Sequence, residues 1–137
     1  MHVFISYADG DRQYISNLII ELKRLGISLW SNQDLLIGED KMVRVQEQIQ
    51  NCKAFIVLVS PHSISSKEIA KEVQVAERNK KIVAPILYGD LKERDLPFWI
   101  GSRTYADARN NRSPIAEIKR TLDAMNSSSS FSLFFSI

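Results

Sequence analysis

Apolar residues fall into short blocks along the chain, and their spacing switches between that of a buried strand and that of an amphipathic helix. Val3-Phe4-Ile5 is a brief apolar run ending at Ser6-Tyr7, and Ala-Asp-Gly-Asp after it is a turn and helix-start signal. From about Arg12 to Leu25 the residues Ile15, Leu18, Ile19, Leu22 and Leu25 recur at helical spacing, with Gly26 as the C-terminal cap. Ile27–Trp30 predicts a second short strand. The stretch SNQDLLIGED that follows is long for a strand-to-helix connection and carries Leu35, Leu36 and Ile37 beside Gly38. Apolar residues in such a loop either fold onto their own domain or dock on a neighbouring molecule, and the pattern is compatible with both.

A helix from about Lys41 to Asn51 leads into Ala54–Val59, six consecutive apolar residues rich in β-branched types, the pattern of a strand buried on both faces. The strand stops at Ser60-Pro61. A serine-containing loop follows, and from Ser66 to about Asn79 a helix is predicted, with Ile69, Val73 and Ala76 on its apolar face. Glu72 falls on that same stripe. A carboxylate so placed does not point straight to water; it either finds a partner or borders a cleft beyond the carboxyl end of a sheet strand. Ile82–Tyr88 predicts a fourth strand, and Pro85 within it argues for a place near a sheet edge or at an irregularity in pairing.

Beyond Gly89 the periodicity weakens. Leu91–Asp95 reads as a short helical turn, Trp99-Ile100 and Thr104-Tyr105 as surrounding a short fifth strand, and Ser113-Pro114 as opening a last helix with the stripe Ile115, Ile118, Leu122, Met125. Alternation of strand and helix specifies a parallel sheet covered by helices on both faces. The first 126 residues are therefore expected to be one α/β domain, and residues 127–137, SSSSFSLFFSI, a Ser-rich linker or tail without fixed structure.

Composition narrows the function classes. The chain of 137 residues is 45% apolar and 25% charged with a net charge of +2, ordinary for a globular domain and without the clustered basic and aromatic residues of a nucleic-acid binder. No apolar run approaches a membrane span and MHVFISY carries no signal-peptide features, so a cytoplasmic protein without membrane association is expected. The single cysteine, Cys52, excludes an internal disulfide and reads as buried filler at the end of the stripe Met42, Val45, Ile49. His2 and His62 are not spaced for a metal, no Gly-rich phosphate loop is present, and Ser60-Pro61 leaves the central strand without the aspartate of a phospho-receiver. No metal and no cofactor are expected.

FISYADGDRQYISNLIIELKRLGISLW, the loop ending IGED, AFIVLVSPHSISSKEIAKEVQVA and IVAPIL together resemble a Toll/interleukin-1 receptor (TIR) domain of the bacterial type. The resemblance covers about Val3 to Tyr88 and, in the order of its elements, runs on to Met125. It implies a flavodoxin-like fold, a three-layer sandwich with a five-stranded parallel sheet, and makes SNQDLLIGED the family's BB loop, in which Leu35, Leu36, Ile37 and Gly38 would serve self-association. Many members of the family cleave NAD at the nicotinamide–ribose bond, giving nicotinamide and ADP-ribose or a cyclic isomer. Their catalytic glutamate lies on the third helix, after the serine-containing loop of the third strand, and the matching position is Glu72.

That match agrees with the independent reading of Glu72 as a carboxylate on an apolar stripe. Cleaving the bond to a cationic pyridinium builds oxocarbenium character on the ribose while the leaving group departs neutral, so one anion suffices to stabilise the transition state. Ser6, Tyr7 and Ala8 match the family's nucleotide-lining turn, and Trp30 and Asn32 match the end of its second strand; all are assigned to substrate binding by resemblance. Three departures stand out: Asn32 where an aspartate is common, with Asp34 nearby; Ile37 where a proline often precedes the glycine; and Glu68 where catalytic bacterial members often carry an aromatic. Glu68 and Glu72 lie at i and i+4 on one helix face, where two carboxylates raise each other's proton affinity and draw in a nicotinamide cation, unless Glu68 is merely a solvated first-turn residue favoured by the helix dipole.

The expected function is thus an NAD glycohydrolase, NAD being substrate rather than cofactor, active on self-association with other TIR domains. By resemblance it is the N-terminal effector of a longer bacterial defence protein, fused to or paired with a sensor. The alternative from the same residues is a non-catalytic TIR scaffold that signals through homotypic contacts and needs no Glu72.

Overall fold

Four apolar blocks and a two-residue segment, Ala106–Asp107, become the strands of one sheet in the computed structural model, which describes residues 2–126. The elements run β1 (Val3–Ser6), α1 (Arg12–Arg24), β2 (Leu29–Trp30), α2 (Lys41–Asn51), β3 (Ala54–Val59), α3 (Lys67–Arg78), β4 (Val83–Leu87), β5 (Ala106–Asp107) and α4 (Ile115–Met125). The strand order is β2-β1-β3-β4-β5 and every pairing is parallel. This is the expected flavodoxin-like α/β fold. The Ser-rich tail expected at 127–137 lies outside the described residues.

Strand alternation divides the core into two layers. Val3, Ile5, Ala54, Ile56 and Leu58 point to one face, covered by Ile15, Leu18 and Leu22 of α1 and Ile118 and Leu122 of α4. Phe4, Phe55 and Val57 point to the other, covered by Val45 and Ile49 of α2 and Ile69, Val73 and Ala76 of α3. β3 is central and buried on both sides, as its unbroken apolar run requires. A smaller cluster of Val59, Leu87, Leu91 and Ile100 closes the carboxyl end beneath the connection between β4 and β5.

Pro85 sits in β4 without breaking it. The Tyr88 N–H donates to Val59 O at 2.9 Å and the Ala108 N–H donates to Leu87 O at 2.8 Å, so alternate residues of β4 face β3 and β5. Pro85 faces the β5 side. β5 pairs only at Ile86 and Leu87, and the donor that Pro85 lacks falls where no ladder bond is needed.

The carboxyl-terminal third differs from its sequence pattern in one respect. The fifth strand lies not between Trp99-Ile100 and Thr104-Tyr105 but just after them, at Ala106–Asp107. Phe98–Ile100 forms a single 3-10 turn, a second covers Glu93–Asp95, and Tyr105 donates its hydroxyl to Glu93 Oε1 at 3.0 Å. A two-residue strand is too short to leave an alternation.

Candidate functional site

The order 2-1-3-4-5 places a topological switch point between β1 and β3, because the chain leaves β1 toward one side of the sheet and returns to pair on the other. In such sheets the crevice outside the carboxyl ends of the two strands is where ligands bind. Ser6 ends β1 at this point, and Ser60 follows β3. α3 starts after a serine turn, its first N–H groups capped by Ser66 Oγ, which accepts from Ile69 N at 3.2 Å. From that start Ile69, Val73 and Ala76 are buried against the sheet, and Glu72 on the same side is carried over the end of β1.

Ser6 Oγ donates to Glu72 Oε1 at 2.9 Å. Glu72 is half-buried, and burial pushes its carboxyl up to about 7, with the Glu68 charge adding in the same direction. The Ser6 hydroxyl and the Lys41 ammonium pull the other way but do not offset the burial. Of the two outcomes open for this carboxylate the first is realised, a partner in Ser6, and its place over the end of β1 puts it at the switch point where sheets of this order bind ligands. A carboxylate poised near neutrality can hold negative charge beside a developing cation and also accept a proton from water.

Glu68 is exposed and forms an ion pair with Lys41, Nζ to Oε1 at 2.8 Å. Lys41 is the first residue of α2, so the pair ties the start of α2, just past the loop, to the start of α3. The sequence leaves Glu68 either against Glu72 or solvated in the first turn of α3; the fold keeps it exposed and gives it a partner on another helix. The signal was present: a lysine in the first turn of a helix opposes the helix dipole and calls for an acidic neighbour.

A second polar network braces the two loops of the crevice. Asp11, buried, accepts from Ser60 Oγ, and Ser60 Oγ in turn accepts from His62 N at 3.2 Å. Ser63 Oγ accepts from Ser60 N and donates to Leu58 O, both at 2.8 Å. The His62 ring lies against Gly10, where a Cβ would stand 2.6 Å from it, so a side chain at position 10 would force the ring to move. The pairing of Asp11 with Ser60 joins positions 49 apart in sequence, so no local pattern marks it.

The remaining residues assigned by resemblance separate into two groups. Ala8, Trp30 and Leu35 pack into the same layer as Ile69 and Val73, on the Glu72 side. Trp30 is buried there and its ring stacks on Phe4 with centroids 5.4 Å apart. Tyr7 belongs to the opposite layer with Ile5 and Ile15, as alternation along β1 demands. Its hydroxyl is buried near the Gln33 side chain without a hydrogen bond of full geometry, Asn32 Oδ1 is buried unpaired among the described residues, and burial raises the Tyr7 pKa against the opposing effect of Gln33.

The loop after β2 contains a 3-10 turn, Asn32–Asp34, closed by a capping box: Asp34 Oδ2 accepts from Ser31 N at 3.0 Å, and Ser31 Oγ accepts from Gln33 N at 3.3 Å. Asp34 thus serves the local turn. Leu35 folds inward, whereas Leu36 and Ile37 are 73% and 106% exposed, and Gly38 turns the chain at φ +91°. Met42 and Val43, in the next turn, are also exposed. Among the described residues no group of His, Cys, Asp and Glu side chains could hold a metal ion, Cys52 is fully buried with its thiol pushed up to about 11, and no helix is long and apolar enough to cross a membrane.

The TIR domain family matches residues 3–122. A metazoan TIR-STING receptor from C. gigas is 26% identical at a TM-score of 0.76, covering 88% of this chain and 39% of that one, so the chain spans well under half of that receptor. The TIR domain of the Toll-related receptor TRR-2 from Hydra magnipapillata is 24% identical at a TM-score of 0.74, covering 91% of this chain and 98% of that one. The CMP N-glycosidase BcmB from Clostridium botulinum shares the fold at 19% identity and a TM-score of 0.53, with 90% of this chain and 99% of that one covered. No curated protein matches. With the family's sequence pattern running through β1, the loop, β3 and α3, and with its parallel sheet formed, the chain belongs to the TIR domain family.

Proposed function

We propose that this TIR domain is an NAD glycohydrolase in which Glu72 is the catalytic carboxylate. The observation that carries the reading is the position of Glu72: half-buried at the β1–β3 switch point, held by Ser6 Oγ at 2.9 Å and raised to about 7 by burial. In the reaction the bond between the ribose C1′ and the nicotinamide nitrogen breaks and its electron pair goes to the nitrogen, which leaves as neutral nicotinamide. The carboxylate stabilises the oxocarbenium-like ribose, and a water captures C1′ and releases its proton to Glu72, giving ADP-ribose. Capture by a nitrogen of the same molecule's adenine gives a cyclic isomer. Structures of this fold include an N-glycosidase, BcmB, whose likeness here extends to the fold alone.

Assembly is part of the reading. Leu36 and Ile37 protrude from the loop that leads into Lys41, and burying them against a second TIR domain would order the segment bordering the crevice. The protein acts in this account as the effector of a bacterial defence system, triggered when a fused or partner sensor clusters it. The test is nicotinamide release from NAD by concentrated or artificially clustered protein, with products separated by chromatography. A second reading, a scaffold that only binds other TIR domains, is favoured by the same exposed Leu36 and Ile37; clustered protein that leaves NAD intact would establish it.

A further inference from the structure

Lys41 is paired with Glu68 at 2.8 Å at the start of α2 and α3, and the charged groups around this pair are unequal in number. Asp9, Glu68 and Glu72 are the acids whose charges reach Lys41, and Lys41 is the base whose charge reaches Glu72. Such a group welcomes a nicotinamide cation but repels the two phosphates of a dinucleotide, unless the cation within it turns toward them. Lys41 is free to do so. It and Glu68 are 53% and 59% exposed, and an ion pair that open to water holds its partners weakly. A diphosphate brings two negative charges against the single charge of the Glu68 carboxylate, so it competes for the ammonium. The lysine also stands in the first turn of α2, where it opposes the helix dipole, so helix stability does not explain its presence.

We propose that Lys41 is the specificity-determining residue for diphosphate-bearing substrates, resting on Glu68 when the crevice is unoccupied and exchanging that carboxylate for the diphosphate when a dinucleotide binds. The inference rests on the glycohydrolase reading for its substrate class, and it assigns Glu68 a definite part. Glu68 competes with the diphosphate for the ammonium. Removing either partner breaks the same ion pair, yet the two removals act on dinucleotide binding in opposite directions.

The experiment uses the full 137-residue chain. KM and kcat are measured for NAD and for nicotinamide riboside, which has the scissile bond but no phosphate, with wild type, K41Q, K41R and E68Q. Thermal unfolding confirms that each variant is folded. K41Q is expected to raise KM for NAD about tenfold with kcat little changed, K41R to restore it, and E68Q to lower it a few fold. Measured at pH 9, where Glu72 is ionised in every variant, the riboside is expected to show neither the rise in KM of K41Q nor the gain in affinity of E68Q, since it has no diphosphate to bind. Shifts of the same sign in K41Q and E68Q, or equal shifts for both substrates, would show a merely structural pair and overturn the proposal. A parallel measurement separates it from the reading it rests on: equilibrium binding of ADP-ribose, which carries the diphosphate and no scissile bond. Weaker binding to K41Q and tighter binding to E68Q support the role of Lys41 even if NAD is not cleaved, and unchanged binding in both, or none to wild type, overturns it.

Discussion

The hydroxyl of Ser6, at the end of β1, donates to the carboxylate of Glu72 on α3 at 2.9 Å, joining residues 66 apart in sequence at the point where the sheet order reverses. Ser6 is the group that lowers the pKa of Glu72 most, working against the burial that raises it to about 7. Activity that needs the ionised carboxylate therefore rises with pH through about 7 in the wild type. Ser6→Ala removes the lowering group, so the rising limb of the pH–rate profile is expected to move to higher pH and the rate at neutrality to fall. An unmoved limb with a lower plateau would place the role of Ser6 elsewhere.

The same carboxylate makes stability depend on pH. Its pKa is raised from an ordinary 4.5 to about 7 in the folded chain. Between these values the folded chain holds a proton that the unfolded chain has released, so the stabilisation present below the lower value is lost as pH rises through the upper one. Glu72→Gln carries no charge to desolvate. It is expected to be more stable than wild type by about 1–3 kcal/mol near pH 8 and equal to it near pH 4, as read by urea denaturation.

Asp11 and Ser60 hold the β1 and β3 loops together. Asp11 is 4% exposed, and Ser60→Ala leaves its buried carboxylate without that hydroxyl donor. The expected loss is about 1–3 kcal/mol at neutral pH, with far-ultraviolet circular dichroism unchanged. An effect within about 0.5 kcal/mol would mean that Asp11 draws its stability from other partners.

Leu36 and Ile37 protrude from the loop and touch little of their own domain. Replacing both with Asp is expected to change the stability of the monomer by no more than about 0.5 kcal/mol. In analytical ultracentrifugation the variant should lose concentration-dependent association that the wild type shows. Association that persists would put the self-contact on another surface.

How much was legible depended on whether the signal was local. The unbroken apolar run of β3 and the carboxylate on the stripe of α3 are each contained in one stretch of chain, and they pointed to the central strand and to Glu72 together. The order of elements specified the parallel sheet, and Pro85 marked the side of β4 where pairing stops. Partners brought together from distant stretches were not legible: Lys41 against Glu68 joins two helices, and Asp11 against Ser60 joins two loops. Tyr7 shows a different limit. Its place beside Ser6 and Ala8 suggested a shared site, yet strand alternation sends its ring to the opposite layer. β5 was misplaced by a few residues because a two-residue strand has no period to read.

The central claim, that Glu72 performs glycosidic cleavage of NAD, is tested most directly by nicotinamide release from NAD by clustered wild-type protein beside clustered Glu72→Gln. The account predicts turnover by the wild type and its loss, by about a thousandfold or more, in a variant that is folded and at least as stable. Wild-type rates in Glu72→Gln would contradict it.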